Sequence, residues 1–157
     1  MGHCIDAFLG HNERMISLSQ AWRRSPIQLS QGLSMLFLTS ELYDEIMAKY
    51  DKGVKFNNFT LLNSAIMSVL EEHSQRGKLA YIETDYAGGA GTQAAVLYEN
   101  GRQKFPPIYT EDFKTWAPSD ERAINIILKE LGVQKLNGKD EFESIGLGDF
   151  RDMYGFI

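Results

Sequence analysis

The sequence predicts an α+β fold: a mixed or antiparallel sheet, clearest as a β-meander over about residues 79–105, packed against about four helices. Three observations carry this expectation. Asn100-Gly101 is a two-residue hairpin signal, because both central positions of a type I′ turn need φ > 0. The glycine-rich stretch "AGGAG" at 87–91 separates two runs that read as strands. Apolar residues at helical spacing recur on both sides of this region.

The elements follow in order. "GHCIDAFL" reads as a first strand. "NERMISLSQAW" follows as a helix over 12–22, with Asn12 at its cap and Met15, Leu18 and Trp22 on one face. "RRSPIQLSQG" is irregular, broken by Pro26 and Gly32. "LSMLFLT" is a short apolar run of the buried-strand kind, closed by the cap-like pair Thr39 and Ser40. A helix over 40–50 carries Tyr43, Ile46, Met47 and Tyr50 on one stripe, with acids in its first turn, where the helix dipole favours them. A longer helix over 58–75 aligns Leu62, Ile66, Val69 and His73 before Gly77 stops it.

In the meander the Asn100-Gly101 turn sets Glu99 opposite Arg102 and Tyr98 opposite Gln103, then Leu97 opposite Lys104 and Val96 opposite Phe105. A five-residue loop over 87–91 would set Tyr86 opposite Thr92, Thr84 opposite Ala94 and Ile82 opposite Val96. Strand alternation then gives one apolar face and one polar face. The mostly apolar face holds Ala80, Ile82, Thr84, Tyr86, Ala94, Val96, Tyr98 and Phe105, and the mostly polar face holds Leu79, Tyr81, Glu83, Asp85, Gln93, Ala95, Leu97, Glu99, Arg102 and Lys104. "PPIYTEDFKTWAP" reads as a loop, and Ser119 as the cap of a helix over 119–131 with Ile124, Ile127, Leu128 and Leu131 as its stripe. The remainder, 133–157, is glycine-rich and acidic yet keeps Phe142, Ile145, Leu147, Phe150, Tyr154 and Phe156, so it is expected to dock as an irregular arm. At 157 residues the whole chain, 1–157, is expected to be a single globular domain.

Charge and cysteine usage narrow the function. The net charge is −5, a field that repels phosphate backbones, so nucleic acid is not an expected partner. Cys4 is the only cysteine, which excludes an internal disulfide, fits a reducing, cytoplasmic setting and suggests a small buried apolar side chain. On a strand His3 and Cys4 point to opposite faces and form no dyad. Gly2 after Met1 opens an N-myristoylation signal, but Asp6 stands where that signal needs Ser or Thr. An anchoring role through Gly2 and Cys4 would require this segment to be free of the sheet. No apolar run approaches the ~18 residues of a membrane span, and no membrane association is expected. His3, His11 and His73 lack metal-ligand spacing, so neither a metal nor a cofactor is expected, and His73 reads as a structural histidine.

The glycine loop fails as a phosphate cradle. Such cradles run strand, loop, then helix, whereas "TQAAVLYENG" after this loop is a strand, and no Lys-Ser/Thr ending is present. It reads as a hairpin tip whose residues need positive φ. The candidate binding residues are those around it: Tyr81, Glu83, Asp85, Tyr86, Gly88, Gly89, Gly91 and Gln93. Two function classes compete. One is a small acidic protein-binding module, in its most specific form an inhibitor or immunity-type protein that neutralises a basic partner such as a nuclease toxin. It rests on acids interleaved with aromatics, as at Asp85-Tyr86 and Asp112-Phe113. The other is an enzyme or small-molecule binder using Glu83, Asp85 and Gln93, with carboxylates roughly 6.5–7 Å apart on one side of a strand.

Overall fold

A computed structural model describes residues 2–51, 53–113 and 115–154 of the chain. Among them, seven strands form one open, meander-like antiparallel sheet, and with its helices the fold is α+β. The strands are β1 (Asp6–His11), β2 (Ile27–Gln28), β3 (Leu33–Phe37), β4 (Lys78–Ala87), β5 (Ala90–Glu99), β6 (Arg102–Gln103) and β7 (Ile108–Asp112). Their order is β2-β3-β1-β4-β5-β6, with β7 also paired to β5. The helices are α1 (Asn12–Trp22), α2 (Ser40–Lys49), α3 (Ser64–His73), α4 (Ala123–Glu130) and the single turn α5 (Glu141–Ser144).

Both faces of the sheet are buried. On one face Ala7, Leu9, Met35, Ile82 and Leu97 pack with Ile124, Ile127 and Leu128 of α4 and with Ile145 and Leu147 of the arm. On the other, Phe8, Leu36, Leu79, Tyr81 and Val96 pack with Met15, Leu18 and Trp22 of α1, Leu42 and Ile46 of α2, and Ile66, Val69 and Leu70 of α3. The expected division into an apolar and a polar face is therefore corrected: helices cover both sides.

The Asn100-Gly101 turn has φ of 52° and 79°, and it pairs Glu99 with Arg102 and Tyr98 with Gln103 as expected. The glycine turn is tighter than expected. Gly88 and Gly89 alone form the tip, and β4 and β5 pair Ala87 with Ala90, Thr84 with Gln93 and Ile82 with Ala95. The register thus slips by one residue from the expected one, which exchanges the two faces of β5.

Helix boundaries also move for local reasons. Thr39 caps α2, its hydroxyl accepting from the Leu42 N–H at 3.3 Å, and Asn63 caps α3 through Ile66 N–H at 3.1 Å. α3 starts at Ser64 rather than near 58. α1 begins without a side-chain cap, with His11 in the cap position rather than Asn12, and neither Pro118 nor Arg122 provides a side-chain cap for the elements they precede. Residues 108–112 add an edge strand where a loop was expected. Phe156 of the arm lies outside the described residues.

Candidate functional site

The antiparallel pairings β1–β4–β5–β7 align acids at the Gly88-Gly89 end of the sheet. Asp6 faces Glu83, Glu83 faces Ala94, and Ala94 faces Tyr109. One row further, Asp85 faces Thr92, and Thr92 faces Glu111. The bridge between His3 and Tyr86 extends the first strand so that Cys4 joins the Asp85 row. Four strands thus bring Asp6, Glu83, Asp85 and Glu111 to one face. Asp85 and Glu111 are exposed and Asp6 is half-buried.

Glu83 is the anchor of this face and is itself buried. The segment before α3 turns its amides onto the carboxylate. Thr60 N–H donates to Oε1 at 2.5 Å, and Leu61 and Leu62 N–H donate to Oε2 at 2.9 and 3.2 Å. The Tyr81 hydroxyl adds a fourth bond to Oε2 at 2.7 Å. Tyr81 lies wholly inside, between Phe8 and Phe59, with ring centroids 5.5 and 6.5 Å away. Burial, then the Glu83 charge, pushes its ionisation well above the ordinary range.

Asp6 has the opposite environment. Burial first, then the charges of Glu83 and Asp85, raise its carboxyl to about 7. The same acids, together with Asp152, reinforce burial in raising the Cys4 thiol. Cys4 is exposed, which corrects the buried reading, and a raised pKa leaves it a poor nucleophile at neutral pH.

The reverse face of the same end carries a second network. Tyr86 donates to Asp112 Oδ2 at 2.6 Å, and fully buried Asp112 also accepts from Ala117 N–H at 2.8 Å, with Arg122 Nε at 3.8 Å. Trp116 stacks on Tyr86 with centroids 6.3 Å apart, and the Arg122 guanidinium lies 5.1 Å over the Trp116 ring. Phe113 and Trp116 are 55% and 49% exposed, so large rings reach solvent at this end of the sheet.

The expected residues therefore separate. Glu83 and Asp85 share a face with Tyr81. Gln93 lies on the opposite face with Tyr86, where its Oε1 accepts from Ile124 N–H at 3.1 Å at the start of α4. Glu83, Asp85 and Gln93 do not converge, and Ala94 rather than Ala95 stands opposite Glu83. Gly88 and Gly89 meet the demand for positive φ, at 61° and 79°, with open space around them. Gly91 answers a different demand: a Cβ there would strike the Asp85 carbonyl and the Tyr86 Cα. The close approach that requires glycine comes from the chain's own β4, not from a ligand.

Asp6, Glu111, Asp112, Trp116 and the 60–62 amides are far apart in the chain, and only the order of strands across the sheet brings them to one end. Among the described residues, no three His, Cys, Asp or Glu side chains are grouped to hold a metal ion, and no helix is long and apolar enough to cross a membrane. The His3 backbone exchanges bonds with Tyr86 at 3.0 and 2.9 Å, and Cys4 N–H donates to Arg151 O at 2.7 Å, so this segment is not free of the sheet. No family model, curated protein or solved structure matches this chain.

Proposed function

We propose that the protein is a cytoplasmic binding module that docks a basic protein partner on the Gly88-Gly89 end of its sheet, in the manner of an inhibitor that neutralises a cationic toxin or nuclease. One observation carries the reading: four strands align Asp6, Glu83, Asp85 and Glu111 on one face, while Phe113 and Trp116 stand exposed at the same end. Acids speed the encounter with a cationic surface, and the exposed Phe113 and Trp116 rings anchor it. Asp6 adds a gain upon docking. Its carboxylate is crowded by like charge, and a partner's Lys or Arg would relieve that crowding. A catalytic reading at Glu83, Asp85 and Gln93 has less support, since Glu83 is enclosed by four donors and Gln93 lies across the sheet.

The experiment is affinity capture at low salt with the wild type and with Asp85→Ala/Glu111→Ala, both at exposed positions, followed by stepwise elution with salt. One stoichiometric basic protein, captured by the wild type and lost from the double variant, is the expected result. A wild type that retains no basic protein, or a double variant that retains it equally, overturns the reading.

A further inference from the structure

The other end of the sheet has the opposite chemistry. Where β1 runs into α1, a cavity of about 590 Å³ opens between the start of that helix, the approach to β4 and the Asn100 turn. Arg14, Arg76 and Lys78 line it, with Asn12, Glu13 and Glu99 among its other walls. Three cations around one cavity stand out in a chain of net charge −5.

The state of Arg14 is the informative one. Its side chain is only 22% exposed, and its Cδ and Nε lie so close to Gly77 that a Cβ there would stand 3.1 and 3.3 Å from them. Among the described residues its guanidinium makes no hydrogen bond, and its one ion-pair contact is a long 3.9 Å to the solvated carboxylate of Glu13. The guanidinium nitrogens keep contact with water and have no protein acceptor among the described residues, so an anion in the cavity would meet a planar fork not already engaged. Arg76 is exposed on the rim and has no ion pair or hydrogen bond among the described residues. Lys78 Nζ donates to Glu130 O at 2.9 Å and lies 3.6 Å from Glu99, whose other oxygen is taken by Lys104 at 3.1 Å.

The helix start bears on the same occupant. The first turn of α1 has no side-chain cap, the His11 ring being engaged with Leu131 O at 2.7 Å, and its dipole meets the cavity beside Glu13, the acid of that turn, which offsets it in part. We propose that this cavity binds a small phosphate-bearing molecule, its oxyanion held by Arg14, Arg76 and Lys78. Glu13 and Glu99 share the rim and oppose a bound anion, so the three cations must outweigh two carboxylates. The volume lies within the range of small-molecule sites.

The test is calorimetric titration with inorganic pyrophosphate, and separately with a nucleoside diphosphate. The proteins are the wild type, Arg76→Gln, Arg14→Lys and the distant surface control Lys139→Gln. Saturable pyrophosphate binding is expected, weakened about tenfold or more by Arg76→Gln and by Arg14→Lys, which keeps the charge but loses the planar fork, and unchanged by Lys139→Gln. Tighter binding of the nucleoside diphosphate would place its organic part against Asn12 and Asn100; equal binding would make the phosphate group itself the ligand. No saturable binding of either probe up to about 10 mM overturns the proposal, as does wild-type affinity in Arg76→Gln, whose exposed position keeps folding out of the result.

Discussion

Asp6 sits directly opposite Glu83 across the β1–β4 pairing, and the two carboxylates divide their surroundings unequally. Glu83 receives three successive amides and the Tyr81 hydroxyl, whereas Asp6 has no side-chain hydrogen bond among the described residues. One acid is enclosed by donors, while the other, without them, has its carboxyl raised to about 7 by burial first and then by the Glu83 and Asp85 charges. That asymmetry makes the acidic end testable without a partner.

Asp6→Asn is expected to stabilise the fold, increasingly so as pH rises. A carboxyl whose folded pKa is raised contributes stability that is fully present below its ordinary value of 3.8 and is lost as pH climbs through about 7. The gain from the amide is therefore small near pH 4 and reaches roughly 1–3 kcal/mol by pH 8, discounted from the full shift because Asp6 is half-buried and shares its charge with two other acids. Urea denaturation at both pH values checks this. A gain that does not change with pH would remove Asp6 as the site of stored repulsion.

Glu83→Gln is expected to destabilise by roughly 2–4 kcal/mol, since one amide oxygen replaces two charged acceptors for four donors. In that background the gain from Asp6→Asn should shrink, because the nearest like charge has gone. A double-mutant cycle at pH 8 is expected to show coupling of about 1 kcal/mol, and strict additivity would contradict the unequal division described above.

The helices at 12–22 and 40–50 were legible, because helical spacing, and for the second the capping Thr39, are local signals, whereas the edge strand at 108–112 was not. Nor was the face assignment. Ala94 and Ala95 are both small and β5 is covered on both sides, so a register one residue off still gave a consistent pattern. Polarity also misled: Tyr81, Glu83 and Gln93 read as solvent-facing, yet each is buried with its polar atoms bonded. Leu62 aligns with Ile66, Val69 and His73 at helical spacing, yet the amides of 60–62 are drawn to a carboxylate 21 or more positions away, and α3 starts only after them. Nothing local in the sequence announces such a long-range partner.

The two kinds of glycine at the hairpin should behave differently. Gly89→Ala meets only the backbone penalty of a positive φ, about 1 kcal/mol, because nothing lies near the new methyl group. Gly91→Ala must push β4 aside, and is expected to cost roughly 2–3 kcal/mol or more. Thermal unfolding of the two variants gives the ranking, and the reverse order would mean that the turn rather than the strand requires glycine.

His3 ties the arm to the sheet. Its Nε2–H donates to Leu147 O at 3.0 Å, and its Nδ1 accepts from the Thr84 hydroxyl at 2.8 Å, an oxygen that in turn accepts from Ile5 N–H at 3.0 Å. Leu147 O can only accept, which assigns the tautomer. Burial, reinforced by Arg151, lowers the pKa of the ring below its ordinary 6.5 even though the Leu147 bond favours the charged form. The unfolded chain therefore takes up a proton that the folded one refuses, and stability falls as pH drops below about 6.5. His3→Gln should flatten that acid limb while costing roughly 1–2 kcal/mol at pH 8 for the lost contacts. An acid limb as steep as the wild type's would place the titration elsewhere.

Tyr86→Phe probes the other network at the same end. Asp112 is fully buried and divides its charge among the Tyr86 hydroxyl, Ala117 N–H and a long contact to Arg122. Removing the hydroxyl leaves Oδ2 with only the guanidinium at 3.8 Å, and is expected to cost roughly 1–3 kcal/mol. Asp112→Asn alone should cost more, since Ala117 and Arg122 then lose the charge as well. Once Asp112 is neutral, however, removing the Tyr86 hydroxyl should cost less than it does in the wild type. The stacked Trp116 supplies the readout: its fluorescence should report local loosening in Tyr86→Phe before global unfolding begins. A variant whose stability and Trp116 signal match the wild type would show that the hydroxyl does not hold this end together.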